Sequence, residues 1–246
     1  MVFFMRVIPV MDVLKGEVVQ AIRGERQKYQ PMKTVLSASS KPLDIALAFQ
    51  EIYGFDELYI ADLDAIQGLG SNIKAVKEIS SRTNLKLIVD AGANNPKDAR
   101  RILEAGAQKV IVATETLESV KQLEECVKAV GKQKIVGSLD YKEGKILTKS
   151  AELIKLNPVQ AAEIFERKGV GEIIFLELSK VGTLQGVEKE TLKGLIEKVN
   201  IPVLTGGGIE SINQVIDLQK IGVAGVLIAT ALHKGKIRPE DLQKIT

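Results

Sequence analysis

Two short stretches carry the same carboxylate in the same frame. One reads "IPVMDVLKGEVV" from Ile8 to Val19, and the other reads "IVGSLDYKEGKIL" from Ile135 to Leu147. Asp12 matches Asp140 and Gly16 matches Gly144, with apolar residues on both sides. A carboxylate at the end of an apolar run is partly desolvated, so its pKa rises towards neutrality. Two such groups on opposite sides of a substrate suit proton transfer, one as base and one as acid. A lone strand-end Asp has another reading, a cap on the following backbone. Its repetition at an equivalent place favours catalysis. The remaining acid–base inventory is thin, with one histidine, His233, and one cysteine, Cys126. A histidine metal cluster or a Ser-His-Asp triad has no residues to be built from, and no metal is expected. His233 in "ALHKG" reads as exposed or as lining a loop. Cys126 in "LEECVKAV" reads as a buried structural thiol.

A second group of residues suits an anion. In "LTGGGIES" the glycines Gly206, Gly207 and Gly208 let backbone approach a phosphate, and Ser211 opens a helix. "IATALHKG" adds Ala229 and Thr230. The competing reading of the glycines is a tight turn. The matching place earlier in the chain, "VDAGANNP" with "VATETL", is poorer: one glycine, Gly92, then Ala113 and Thr114, beside the negative Asp90. It is the candidate for a second phosphate or substrate site. Asp62, Asp90, Glu177 and Thr183 stand near run ends as candidate substrate contacts. The polar stretch 24–40, "GERQKYQPMKTVLSASS", is long for a connection, so a lid over an anion and a mobile solvated loop are both open. Arg23, Arg26, Lys28 and Lys33 would supply its charge.

Eight apolar runs must position these residues: "RVIPVMD", "ELYIADL", "LKLIVDA", "QKVIVAT", "QKIVGSLD", "EIIFLEL", "IPVLTGG" and "AGVLIAT". They are rich in Val, Ile and Leu without strict polar alternation, as parallel strands buried on both faces require. Between them lie helical patterns such as "NPKDARRILEAGA" and "NPVQAAEIFERKGV", opened by Asn-Pro and closed by Gly. Eight strands alternating with helices predict an α/β fold, a (β/α)8 barrel in one domain over 1–246. A doubly wound open sheet is the competitor, but no early GxGxxG is present. The runs also match in order across the chain, Asp62 opposite Glu177 and "VIVAT" opposite "VLIAT". The barrel then divides into two (βα)4 halves, about 1–122 and 123–246. Tyr59 and Phe175 read as matched strand residues of the core.

The net charge of +3 is spread along the chain, unlike a nucleic-acid footprint, so no nucleic acid is expected. No apolar run reaches the roughly 18 residues that span a bilayer, and "MVFFM" is too short for a signal-peptide core. The expectation is a cytoplasmic protein, monomeric or a small homo-oligomer, acting on a phosphorylated small molecule.

"IPVMDVLKGEVV", "LYIADLDA", "VGSLDYKEGKI", "GTLQG", "LTGGGIES" and "VLIATALHKG" together resemble the histidine-biosynthesis barrel family over essentially the whole chain. The strand-end Asp140 and "GTLQG" look more like its isomerase (HisA type) than its cyclase (HisF type). The resemblance implies an Amadori rearrangement of a phosphoribosylformimino-aminoimidazole carboxamide ribotide without cofactor, with Asp12 as general base and Asp140 as general acid. Three positions depart from the family. After the third run the family carries Gly-Gly-Gly-Ile-Arg, where this chain has Asp90-Ala91-Gly92-Ala93-Asn94. Leu176 and Val181 stand where the isomerase has Thr and Asp. A divergent paralogue is the second reading, its substrate carrying one phosphate, or an uncharged or cationic group near Asp90. Two other classes are weaker. A Schiff-base lyase lacks a strand-end lysine, and a non-catalytic phosphometabolite-binding barrel has no need of two carboxylates at the mouth.

Overall fold

The computed structural model describes residues 5–245. Most of "MVFFM" lies outside the described residues. Each of the eight apolar runs forms a strand: β1 (Arg6–Leu14), β4 (Glu57–Asp62), β5 (Lys86–Asp90), β6 (Lys109–Ala113), β7 (Ile135–Lys142), β9 (Glu172–Glu177), β10 (Val203–Gly206) and β11 (Gly225–Ile228). They pair in parallel in that order, and β11 closes onto β1 through Arg6 with Gly225 to Pro9 with Ile228. Closure satisfies every strand edge, which an open sheet would leave exposed. The fold is a (β/α)8 barrel. No helix among the described residues is long and apolar enough to cross a membrane.

The helices start and stop where the local chemistry demands. Asn95 and Asn157 cap α4 (Pro96–Glu104) and α6 (Pro158–Arg167), accepting from Asp98 N and Gln160 N at 3.0 Å each. Proline follows at N1 in both, where its missing N–H costs nothing. α1 (Pro42–Tyr53) ends on Gly54, whose φ of 68° is left-handed.

Side-chain alternation along the strands splits the core in two. Residues facing out, including Met11, Ile60, Val89, Val112 and Phe175, pack beneath the helices. Residues facing in fill the barrel axis in layers of four from alternate strands, the usual filling of such barrels. Ile8, Ile88, Val136 and Leu204 make one such set, and Tyr59, Ile111, Ile174 and Leu227 the other. Tyr59 and Phe175 are both buried, but on opposite sides of the barrel wall, so they are not counterparts. Ile174 is the inward partner of Tyr59 in this packing. The N-terminal end is closed by ions: Arg6 meets Glu57 at 2.9 Å and Glu172 at 2.8 Å, and Lys109 meets Glu172 at 2.6 Å.

Three short antiparallel strands sit at the other end, among them β2 (Glu17–Gln20) beside β1 and β8 (Lys145–Ile146) beside β7. The third, β3 (Gln30–Pro31), pairs with β2. The stretch 24–40 therefore begins as part of a β-ribbon off β1 and carries the 3-10 turn Arg26–Lys28.

Candidate active site

The strand alternation that fills the barrel also builds its mouth. Counting in steps of two from Ile8, Ile88 and Val136 arrives at Asp12, Asp90 and Asp140. The fourth alternate strand ends at Gly206. Register places Asp12 beside Ala61 and Ala61 beside Asp90; Asp140 lies beside Leu176, and Leu176 beside Gly206. Three carboxylates and one glycine thus top the barrel. Because β1 is the first and β7 the fifth of eight strands, Asp12 and Asp140 face each other across the opening. All three aspartates line one cleft with Arg26, Tyr29, Tyr59, Glu115 and Lys142.

Burial dominates the electrostatics. It pushes the Asp12 carboxyl up to about 7, against the pull of the Arg26 charge. Burial pushes Asp90 up to about 7, helped by the neighbouring Asp140 charge. Asp140 rises to about 6, through burial and then the Glu115 charge; the Ser138 hydroxyl at 3.0 Å and the Glu115 N–H at 3.3 Å oppose the rise. Its own backbone N–H donates to Thr114 Oγ1 at 3.0 Å, which fixes the end of β7.

One cation crosses the mouth. Arg26 comes from the ribbon after β1 and meets Glu115, just beyond β6, at 2.7 Å. Tyr29 follows it into the cleft, its hydroxyl driven above the usual range by burial and by Asp12. The expectation that basic residues of 24–40 reach the mouth holds for Arg26. Lys28 instead pairs with Glu25 on the surface.

The glycine cradle is shaped by backbone. Gly207 and Gly208 have φ of 101° and 78°. A Cβ on Gly207 would stand 2.7 Å from Glu177 O, and one on Gly208 would stand 3.0 Å from Lys180 O. Both line the cleft beside Ala229 and the buried Thr230, while Gly206 is buried in the wall just below. Ser211 is the N-cap of α8 (Ile212–Lys220).

Several expected contacts lie elsewhere. Asp62 is fully buried and turned away from the opening. It accepts from Asn72 N at 2.6 Å, Asn72 Nδ2 at 2.7 Å, Ser71 Oγ at 3.1 Å and Ala65 N at 3.1 Å. Glu177 accepts from Ser179 Oγ at 3.1 Å and lies 3.4 Å from Lys180. Thr183 Oγ1 donates to Lys180 O at 2.8 Å. None of the three lines the cleft, and neither do Gly92, Ala113 or Thr114. Asp62 and Glu177 miss it by parity, each standing one residue beyond an inward position, Ala61 or Leu176. His233 is buried rather than exposed. Its Nδ1 lies 3.0 Å from Thr34 Oγ1, its ring packs edge-on against Phe49, and burial pulls it down to about 4. Cys126 is buried, and its thiol is pushed up to about 11 by burial.

Glu115 and Tyr29 carry no motif in the sequence. They reach the mouth from loops, where neither strand parity nor helical period applies. Leu176 and Val181 do line the cleft, together with Leu178 and Leu147.

The family described as "Histidine biosynthesis protein" matches the chain over residues 6–238. A relative from Methanococcus voltae is 34% identical over 239 residues, 96% of each chain. One from Methanocaldococcus jannaschii is 34% identical over 241 residues, 98% of this chain and 97% of the relative. Both are named 1-(5-phosphoribosyl)-5-((5-phosphoribosylamino)methylideneamino) imidazole-4-carboxamide isomerase. The same Methanocaldococcus holds an uncharacterized protein 36% identical over 240 residues, 97% of each chain. Matched along its whole barrel, with its paired strand-end aspartates and glycine cradle, this chain belongs to the histidine biosynthesis protein family.

Proposed function

We propose that the protein is a HisA-like isomerase that converts an N-linked 5-phosphoribosyl aminoaldose to the aminoketose. The observation that carries this is the placement of Asp12 and Asp140 on opposite sides of one mouth, both with raised pKa. Asp140 donates its proton to the ribose ring oxygen. The C1–O bond breaks as the nitrogen lone pair forms the C1=N double bond. Asp12 then removes the proton from C2, and the electron pair moves to nitrogen to give the enolamine. Loss of the C2 hydroxyl proton and protonation at C1 complete the ketose. The imine nitrogen is the electron sink, so the sequence as written needs no cofactor. The sugar phosphate sits in the cradle of Gly207, Gly208, Ala229 and Thr230, which faces backbone N–H groups and no carboxylate. The reaction takes place in the cytoplasm on a soluble metabolite.

The pKa order has a kinetic consequence. The base lies near 7 and the acid near 6 in the free protein. Both carboxyls are raised by burial, so kcat/KM should follow a bell with its flanks near these values.

The test is rescue of a histidine auxotroph that lacks the isomerase. Growth with the wild-type gene, lost with Asp12→Asn or Asp140→Asn, would make the bisphosphorylated ribotide of the named relatives the substrate of this isomerase. Failure of the wild-type gene to rescue favours the second reading, a paralogue with another phosphorylated substrate. Two observations support that reading: Asp90 at the opposite end of the mouth, and a 36% identical relative that is uncharacterized, beside a 34% identical one named as the isomerase in the same organism.

A further inference from the structure

The ends of the mouth differ in what they can hold. The glycine cradle follows β10 and β11, the seventh and eighth strands of the ring. Directly opposite stand β5 and β6, the third and fourth. A substrate with its phosphate in the cradle therefore runs between Asp12 and Asp140 and points its other end at Asp90 and Glu115.

That far end is unfit for a second phosphate on three counts. Three of its backbone donors are already in use: Gly92 N–H donates to Asp90 Oδ1 at 3.1 Å, Thr114 N–H to Ser138 O at 2.9 Å, and Glu115 N–H to Asp140 Oδ2 at 3.3 Å. At the other end Thr205 stands in the place of Asp90 and offers no carboxylate to the Gly207 N–H; its Oγ1 donates to Phe175 O at 3.0 Å. The cation near the far end, Arg26, is paired with Glu115. The other cation of the cleft, Lys142, stands on the β7–β8 hairpin instead. Finally, the Arg26–Glu115 pair is neutral overall, which leaves Asp90 to repel a dianion. The flanks between the two ends are apolar. Ala61, Leu63 and Ile66 stand at or just beyond the end of β4 on one side, and Leu176, Leu178 and Val181 at or just beyond the end of β9 on the other.

From this geometry we infer that the substrate carries a single phosphate, on a ribosyl group, and an apolar planar aglycone. The aglycone lies between the two flanks and presents a hydrogen-bond donor, an amine or ammonium, to Asp90 and Glu115. The class is an N-(5-phosphoribosyl)arylamine with a donor at the far end of its ring. Asp90 and Glu115 are the specificity-determining residues. The inference rests on the isomerase reading for the identity of the sugar, while the binding order is independent of turnover.

The test uses the intact chain and two stable reduced analogues, 1-arylamino-1-deoxyribitol 5-phosphates. One bears a 4-aminomethyl group on the ring and the other a 4-phosphono group. Calorimetry should show the aminomethyl compound binding at least about tenfold tighter. Asp90→Asn and Glu115→Gln should each narrow that gap, to about threefold when combined. Equal or tighter binding of the phosphono compound would overturn the inference, as would a gap untouched by both substitutions. Turnover is measured in parallel on the N-(5-phosphoribosyl)arylamine and on the bisphosphorylated ribotide of the named relatives. The expected binding order without turnover of either compound sustains the substrate class and defeats the isomerase reading. Turnover of the ribotide at least about tenfold above the arylamine defeats the substrate class and sustains the isomerase.

Discussion

The hairpin after Asp12 and the hairpin after Asp140 have nearly the same turn angles: Lys15 and Gly16 at φ 52° and 81°, Glu143 and Gly144 at 51° and 81°. They differ in what holds them. Lys15 N–H donates to Asp64 Oδ2 at 2.6 Å and Gly16 N–H to Asn72 Oδ1 at 2.9 Å. Asn72 is in turn held by Asp62, so a buried acidic network pins the first hairpin. The second hairpin has Glu177 in the place of Asp62, and Glu177 turns to Ser179 and Lys180. The glycines divide the other way, with Gly207 and Gly208 after β10 against Gly92 after β5. One half has a rigid hairpin and a closed, acidic loop pair. The other has a hairpin tied back only by Leu147 N–H to Asp140 O at 2.7 Å and a glycine-rich loop along the cleft. The carboxylate positions are what the two sides of the mouth share, and the loops around them are where they differ.

The largest effect tests the shared part. Asp12→Asn and Asp140→Asn should each lower kcat/KM by about 100- to 10,000-fold with the fold intact by circular dichroism, since each removes one proton-transfer group. A loss confined to one of them would break the symmetry of roles. The next effect tests the unlike part. Gly208→Ala puts a Cβ 3.0 Å from Lys180 O at φ 78° and should raise KM for a phosphorylated substrate on the order of tenfold or more. Gly92→Ala meets Ile66 Cα at 3.2 Å and has φ 67°. It should cost stability, about 1 kcal/mol by chemical denaturation, and leave KM within roughly threefold. Equal KM effects would mean that both loop pairs bind phosphate.

Stability against pH probes Asp90. Its carboxyl lies near 7 in the fold, against an ordinary 3.8. From about pH 4 to about pH 7 the folded protein keeps a proton that the unfolded chain has released. Asp90 therefore lowers stability progressively as pH rises through that window, and the full penalty stands above 7. Asp90→Asn removes it. The variant should be more stable than wild type at pH 8 by on the order of 1–3 kcal/mol and no more stable at pH 4, by thermal melts at both. A gain at pH 4 as large as at pH 8 would show that its charge is not the cause.

The eight strands were legible because each is a short apolar run, six of them ended by an acid or a glycine, and the barrel follows from their number and spacing. Asp12 and Asp140 were legible because they repeat in one frame. Asp62 and Glu177 repeat as well, yet they face out. Strand parity would have separated them: Asp12, Asp90 and Asp140 stand an even number of residues beyond the inward Ile8, Ile88 and Val136, whereas Asp62 stands an odd number beyond Tyr59. Glu115 and Arg26 lie in loops whose path depends on the whole mouth, and no local pattern reports where their side chains go. Of the two readings of His233 the exposed one fails, because "ALHKG" directly after β11 forms a turn of helix pressed between Phe49 and the Thr34 segment.

The smallest effect asks whether the pin on the first hairpin matters. A Cβ on Gly16 meets nothing within 4 Å, and one on Gly144 meets only Tyr141 Oη at 4.0 Å. Space is therefore equal, and the strain of alanine comes from the positive φ alone, about 1 kcal/mol where the backbone cannot move. The second turn is free to relax into another turn type and shed part of that strain. The first is held at Lys15 and Gly16 by Asp64 and Asn72, and relaxing would break those bonds. Gly16→Ala should thus cost about 1 kcal/mol and Gly144→Ala roughly half as much, read from the midpoints of urea unfolding. Equal costs would mean that the acidic network follows the hairpin rather than holding it. The rigidity of Asp12 would then have to come from β1 and β4 alone.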